Sequence, residues 1–241
     1  MNNIVYNCDC MELMRTLPNK VFDLAIVDPP YGIGVGTMTY TNDGAIRTHG
    51  YAVAKRRDYR GKAKWDNERP DPEYFSQLLR ISQKQIIWGG NYFSDILPPS
   101  RSFIVWDKRC NDEMSNDFSD CEYAWSSCGG VARVFRFVWN GMIQGDMKRK
   151  EDRFHPTQKP VALYKWLLQR YAKPCDRIFD SHVGSGSIRI ACHDMGFDFT
   201  GCEIDQNYWQ AQEQRFQAHV QQMDLFGAEE IQKGIYEGAM V

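Results

Sequence analysis

Long apolar runs are missing from this chain: no stretch approaches the roughly 20 residues that a membrane-crossing helix needs, so no membrane partner is expected. Metal-spaced cysteines are missing too. The eight cysteines comprise Cys8 and Cys10, one residue apart, and Cys110, Cys121, Cys128, Cys175, Cys192 and Cys202, scattered, with no CxxC pair and no histidines at zinc spacing. They read as reduced, largely buried thiols, with no metal and no disulfide. An excess of one charge is absent: the net charge is −2, which argues against a general nucleic-acid coat protein. The first residues, Met1 to Tyr6, lack the charged and apolar regions of a signal peptide, so a cytoplasmic location is expected. Internal repeats and low-complexity segments are lacking as well. What remains, 241 residues at 43% hydrophobic and 25% charged, fits one α/β domain, or one such domain with an inserted lobe.

The apolar run Leu24-Ala25-Ile26-Val27 leads into Asp28-Pro29-Pro30-Tyr31. A buried strand would place that turn at its carboxyl end, where open α/β sheets bind ligands. Two prolines stiffen the chain and leave carbonyls free to accept, so a carboxylate, a spare carbonyl and an aromatic face are held together. Such a group suits a planar ring bearing an amine; the alternative is an ordinary Pro-Pro turn closed by a packing tyrosine.

Around it, strands are expected at Ile4 to Tyr6, Gln85 to Trp88, Ser102 to Trp106, Glu122 to Trp125, Val131 to Trp139, Arg177 to Phe179 and Phe199 to Glu203. Helices are expected over Met11 to Leu17, from Pro72 with Asp71 as N-cap, from Val161, through Ile188 and Cys192, and from Tyr208 to about Gln221. Residues 32–64 form a long Gly-, Thr- and charge-rich loop of the kind that is usually functional. Two basic clusters stand out: Lys55, Arg56, Arg57, Arg60, Lys62 and Lys64, then Lys148, Arg149, Lys150 and Arg153. Each is either solvated surface or a phosphate contact.

Near the C-terminal end a strand, the turn Gly184-Ser185-Gly186, a helix and a strand ending at Glu203 follow in order. Such glycines let backbone approach a ligand, and the acid can accept from ribose hydroxyls; a plain tight turn is the alternative. Arg189 stands where the third glycine of GxGxxG would be, which favours a nucleoside cofactor such as S-adenosylmethionine over one with a pyrophosphate. Pro160, with Lys159 beside it, opens a helix whose free amides suit a carboxylate, or else simply a capping turn.

Taken together, Asn7-Cys8-Asp9-Cys10, Asp28 to Tyr31, Trp88 to Phe93, His155-Pro156-Thr157-Gln158-Lys159-Pro160, Gly184 to Gly186 and Gly201 to Asp205 resemble, in this order, the permuted (beta-type) DNA amino-methyltransferases. Where that family has Asp-Pro-Phe-x-Gly-Ser-Gly, this chain has Asp180-Ser181-His182-Val183-Gly184-Ser185-Gly186. The resemblance implies a Rossmann-like α/β fold, a mostly parallel sheet with helices on both faces in circularly permuted motif order. It also implies methyl transfer from S-adenosylmethionine to the N6 amine of adenine in double-stranded DNA, with the base flipped. Asp28, Pro29, Pro30 and Tyr31 would be catalytic. Asp9, Asp28, Thr157, Lys159, Asp180, His182, Gly184, Ser185, Gly186 and Glu203 would hold the cofactor. Lys55, Arg56, Arg57, Arg60, Lys62, Lys148 and Arg149 would contact DNA.

The alternatives are N4-cytosine methylation and a catalytically silent DNA-binding relative, the latter because of His182. The domain expected is 1–222, with 32–64 as a DNA-contacting loop and 107–154 as a small target-recognition insert, followed by a polar tail over 223–241. A homodimer would compensate for the small insert. Gln222-Met223-Asp224-Leu225-Phe226 resembles a sliding-clamp docking peptide, the alternative being a helix end packing on its own domain.

Overall fold

The computed structural model describes residues 2–34, 66, 68–109, 119–140, 143–148 and 150–238, with side chains to residue 222 except at 140. In chain order the elements are β1 (Asn3–Tyr6), α1 (Cys10–Thr16), β2 (Phe22–Val27), α2 (Pro72–Ile81), β3 (Ser82–Trp88), β4 (Phe103–Asp107) and β5 (Cys121–Ser126). They continue with β6 (Arg133–Arg136), β7 (Trp139–Asn140), β8 (Ile143–Gln144), α3 (Val161–Tyr171), β9 (Arg177–Asp180), α4 (Ser187–Met195), β10 (Asp198–Cys202) and α5 (Gln206–Gly238).

Strand β2 shows why the sequence layers as it does. It is apolar at nearly every position rather than at alternate ones, because both of its faces are covered. Leu24 and Ile26 join the core with Leu163 and Leu167 of α3 and Ile188 of α4. Ala25 and Val27 point the other way, into a second core with Met14 of α1 and Tyr74, Phe75 and Leu78 of α2. The result is a three-layer αβα arrangement, the Rossmann-like class expected.

Among the described residues the main sheet has eight strands in the order β1-β10-β9-β2-β3-β5-β4-β6, with a separate β7-β8 pair. β1, β10, β9, β2 and β3 pair in parallel. β5 runs antiparallel between β3 and β4, and β6 is parallel to β4. So one strand opposes the other seven.

Three boundaries differ from expectation. The single strand expected over Val131 to Trp139 is two: β4 ends at Asp107, opposite Arg136, so the ladder stops there and the chain turns into the β7–β8 pair. Within the expected insert 107–154, β5 and β6 are strands of the main sheet. The last helix continues past residue 222 to Gly238, so Gln222 to Phe226 lies inside helical backbone rather than in a tail.

Candidate active site

Strands β9 and β2 lie side by side, with Leu24 opposite Ile178 and Ala25 opposite Phe179. The helix after β9 (α4) packs on one face of the sheet and the helix after β2 (α2) on the other. Connections that leave adjacent strands toward opposite faces open a crevice beyond the carboxyl ends, the switch point where such sheets bind ligands. Asp28 to Tyr31 and Asp180 to Gly186 flank it. A cleft of about 250 Å³, lined by Cys10, Met11, Pro30, Glu68, Arg69, Pro70, Asp71, Tyr74 and His182, lies here. That is slightly below the ~300 Å³ at which small-molecule sites begin, room for part of a cofactor. A wider depression over Trp166, Gln169 and Arg170 of α3 has no carboxylate in its lining and is no part of this site.

The Asp28 carboxylate is held from two sides. Tyr31 Oη donates to Oδ1 at 2.5 Å and Lys159 Nζ to Oδ2 at 2.5 Å. Lys159 also meets Glu122 at 3.1 Å, and Glu122 meets Lys108 at 3.1 Å. A row of alternating charge, Lys108–Glu122–Lys159–Asp28, thus crosses from β4 and β5 to β2, ending on the Tyr31 hydroxyl. Lys159 is 2% exposed at its side chain and Asp28 16%, so the cation is sealed while the carboxylate keeps an open edge. Burial pushes Asp28 above the usual carboxylate range, against the opposing pull of Lys159. Glu122, with two cations, lies below it, and the two carboxylates raise Lys159 despite its burial.

Tyr31 is fixed by more than its hydroxyl. Asp66, itself buried, accepts from the backbone N–H of Tyr31 at 2.7 Å and of Gly32 at 3.2 Å. The Tyr31 ring stacks on Tyr92 at 5.0 Å between centroids and meets Phe93 edge-on. It also lies against Gly89, where a Cβ would collide with the ring and where φ is +72°. Glycine at that position is therefore a condition for the ring to lie there.

The helix start at Pro160 differs from expectation. Pro160 is the N-cap of α3, and the first free amide, Val161 N–H, is already taken by Glu151 Oε1 at 2.9 Å. Glu151 Oε2 is bound by Arg215 at 2.6 Å. Lys159 faces Asp28 rather than a free space in front of the helix. Both groups assigned to a cofactor carboxylate are thus engaged by side chains of the chain itself. Thr157 Oγ1 meets His155 Nδ1 at 3.2 Å, and the His155 ring lies over Gly184 and against Tyr208. Burial depresses His155 to about 3, so it is neutral.

On the β9 side, Gly184 (φ +51°) and Gly186 (φ +74°) make the turn, and Gly186 caps α4. Glu203, just past β10, accepts from Gly184 N–H at 2.8 Å with one oxygen and from Asp205 N–H at 2.9 Å with the other. Its carboxylate therefore shapes the turn. Asp9 caps α1, accepting from Met11 N–H at 2.7 Å. Ser185 Oγ meets Ser187 Oγ at 3.1 Å, and its carbonyl accepts from Arg215. Asp180 accepts from His182 N–H at 3.0 Å, and burial raises it to about 8.

That shift makes a stability prediction. Between the ordinary aspartate pKa near 4 and about 8, the folded chain holds a proton that the unfolded chain has released, so this group's contribution to stability falls as pH rises. Asp180→Asn removes the titration. Its melting temperature, relative to wild type, is expected to rise from pH 5 to pH 8.5 in thermal melts; parallel curves would overturn the assignment.

Of the residues expected to touch DNA, Lys55, Arg56, Arg57, Arg60, Lys62 and Arg149 lie outside the described residues, and Lys148 is exposed. Reading the sequence did not assign Glu122, Lys108, Asp66, Tyr74 or Ser181 to the site. Glu122 alone left a signal, an acid opening the otherwise apolar strand Tyr123-Ala124-Trp125. His193, Asp194 and His219 also converge, their ligand atoms within 4.8 Å, where α4 and α5 meet. Asp194 there is already paired with Lys165 and His219, each at 2.6 Å.

Comparison with known proteins adds to this geometry. The family described as DNA methylase (N6_N4_Mtase) matches residues 111–214. The type II methyltransferase M.HinfI of Haemophilus influenzae is 24% identical over 255 residues, covering 88% of this chain and 68% of the relative. The crystal structure of the M1.HpyAVI-SAM complex superposes with a TM-score of 0.52 at 19% identity, covering 88% of this chain and 98% of that one. The PvuII DNA methyltransferase (cytosine-N4-specific) superposes with a TM-score of 0.56 at 12% identity, covering 90% and 86%. The structural likenesses establish the fold, and the family and the relative support a DNA methylase.

Proposed function

We propose that this chain is an S-adenosylmethionine-dependent DNA methyltransferase of the permuted type that acts on the exocyclic N6 amine of adenine. The observation that carries this reading is the Asp28 carboxylate, gripped by Lys159 and Tyr31 yet open at one edge, beside the Gly184–Gly186 turn at the switch point. The residues fit a nucleoside cofactor: Glu203 offers lone pairs for ribose hydroxyls, and Pro30 and His182 offer flat faces inside the cleft. When bound, S-adenosylmethionine supplies a methyl group on a sulfonium, an already activated donor.

The chain's own task is then to make a poor nucleophile attack. The lone pair of an exocyclic amine is delocalised into its ring. Asp28 and the Pro29 carbonyl accept from the amine N–H groups, which favours a pyramidal nitrogen with its lone pair turned outward. Lys159 and Tyr31 donate to the same carboxylate, and so hold it as an acceptor. The stacked Tyr31 and Tyr92 rings present an aromatic surface for a flipped base. Alignment supplies the remaining acceleration. The initial aspartate in this motif goes more often with adenine than with cytosine in the family that the chain resembles.

The test is direct. Double-stranded DNA incubated with the protein and S-adenosylmethionine is digested to nucleosides and analysed by mass. N6-methyl-2′-deoxyadenosine is expected; N4-methyl-2′-deoxycytidine would overturn the choice of base. Unmodified DNA, with cofactor binding demonstrated, would favour the catalytically silent alternative.

A further inference from the structure

The cleft contains one polar atom that the site as described does not use. His182 lines the cleft, and its Nδ1 lies 2.8 Å from Ser181 Oγ. Ser181 Oγ in turn lies 2.7 Å from the hydroxyl of Tyr74, a residue 2% exposed on α2. Among the described residues this is the only hydrogen bond of Tyr74 Oη, and His182 Nε2 has none. Nε2 is also absent from the sealed polar atoms, so it opens to the cleft.

The direction of this short chain follows from satisfying every proton. A buried phenol must give its hydrogen to an acceptor or bear the desolvation penalty of a buried unmet donor. Tyr74 can meet this only by donating to Ser181 Oγ. The serine hydrogen is then free to point at His182 Nδ1, which must be the accepting nitrogen. A neutral imidazole whose Nδ1 accepts carries its proton on Nε2. Were Nδ1 to carry the proton instead, Ser181 Oγ could accept from both neighbours, but the hydrogen of this buried serine would then have no acceptor among the described residues. Burial holds His182 down to about 4, so the neutral ring is the state at physiological pH.

We propose that His182 presents a preset Nε2–H donor to a ring nitrogen of the nucleoside heterocycle bound in this cleft, with Ser181 and Tyr74 as positioning residues that fix its tautomer. The proposal rests on the cofactor reading above and names one contact within it. It turns the departure at His182 from a defect into a polar handle. A phenylalanine could offer only its face; histidine in this tautomer adds a donor to a cleft that Pro30, Met11 and Pro70 also line.

Two measurements test it. Nitrogen-15 NMR of the histidine-labelled protein should show His182 with Nε2 protonated and Nδ1 bare; Nδ1 protonated in the wild type would overturn the proposal. Tyr74→Phe and Ser181→Ala should each shift that pattern toward a mixture, which loss of packing alone would not do. Calorimetry with S-adenosylhomocysteine supplies the second arm. His182→Phe should bind about tenfold more weakly, the scale of one hydrogen bond. Of the 1-, 3- and 7-deaza analogues, one should weaken wild type by the same factor and leave His182→Phe no worse. Equal affinity of wild type and His182→Phe for the parent ligand overturns this contact while leaving the cofactor reading intact. No binding by wild type overturns both.

Discussion

Asp28→Ala is expected to lower methyl transfer by about 10²–10³-fold or more, the scale of losing one positioned transition-state hydrogen bond, while S-adenosylhomocysteine binding measured by calorimetry stays within a few-fold of wild type. The reason lies in where the carboxylate points. In the proposed reaction its open edge would face the amine, whereas the turn that would hold the cofactor is shaped by Glu203 and by two glycines between β9 and α4. The fold should tolerate the change, because Lys159 retains Glu122 at 3.1 Å. Asp28→Asn keeps an amide oxygen to accept one hydrogen bond and should lose less. Near-normal turnover by Asp28→Ala would sink the catalytic assignment; equal loss of cofactor binding would move Asp28 to the cofactor side.

Lys159→Met should produce the largest loss of stability, roughly 3–5 kcal/mol, because breaking a buried ion pair strands the remaining charge. Here two carboxylates, Asp28 and Glu122, lose their shared ammonium. The pH dependence identifies the cause. In wild type Glu122 lies below its ordinary value, so its contribution is present above the usual glutamate range and lost as pH falls through it. In the variant both acids shift upward, and the folded chain takes up protons that the unfolded chain releases. Its stability should therefore fall from pH 5 to pH 8, widening the gap from wild type in chemical denaturation. Activity should move the opposite way, rising with pH, because a protonated Asp28 is neutral and a weaker acceptor for the amine than the carboxylate. A loss independent of pH would mean that Lys159 only fills space. Glu122→Gln should give a milder form of the effect, since Asp28 keeps the ammonium.

The layout of the αβα core was legible because burial on both faces writes itself as continuous apolar runs. Leu24 to Val27 could be read as a strand, and Asp28 to Tyr31 as the turn at its end, without coordinates. Asp71 and Pro72 announced the start of α2 in the same local way, and the structure has Asp71 accepting from Tyr74 N–H. Local signals failed where the partner was distant. Nothing in Val131 to Trp139 says that β4 ends opposite Arg136. No feature of Glu122 alone says that a lysine 37 positions later will lie beside it.

By itself the sequence determined the strand-and-turn grammar of the site, since residue chemistry and spacing act over a few positions: the stiff Pro-Pro turn, the glycines before α4 and the acid after β10. Tertiary structure alone decided how the polar groups far apart in the chain are paired, as in Lys159 with Asp28 and Tyr74 with Ser181. Lys159 reads as a cation for a ligand and folds as the partner of Asp28 and Glu122; His182 reads as a misfit and folds with one nitrogen committed to Ser181 and the other open to the cleft. Pairing across 100 or more residues depends on sheet order, and sheet order is set by the packing of the whole core rather than by any segment of it.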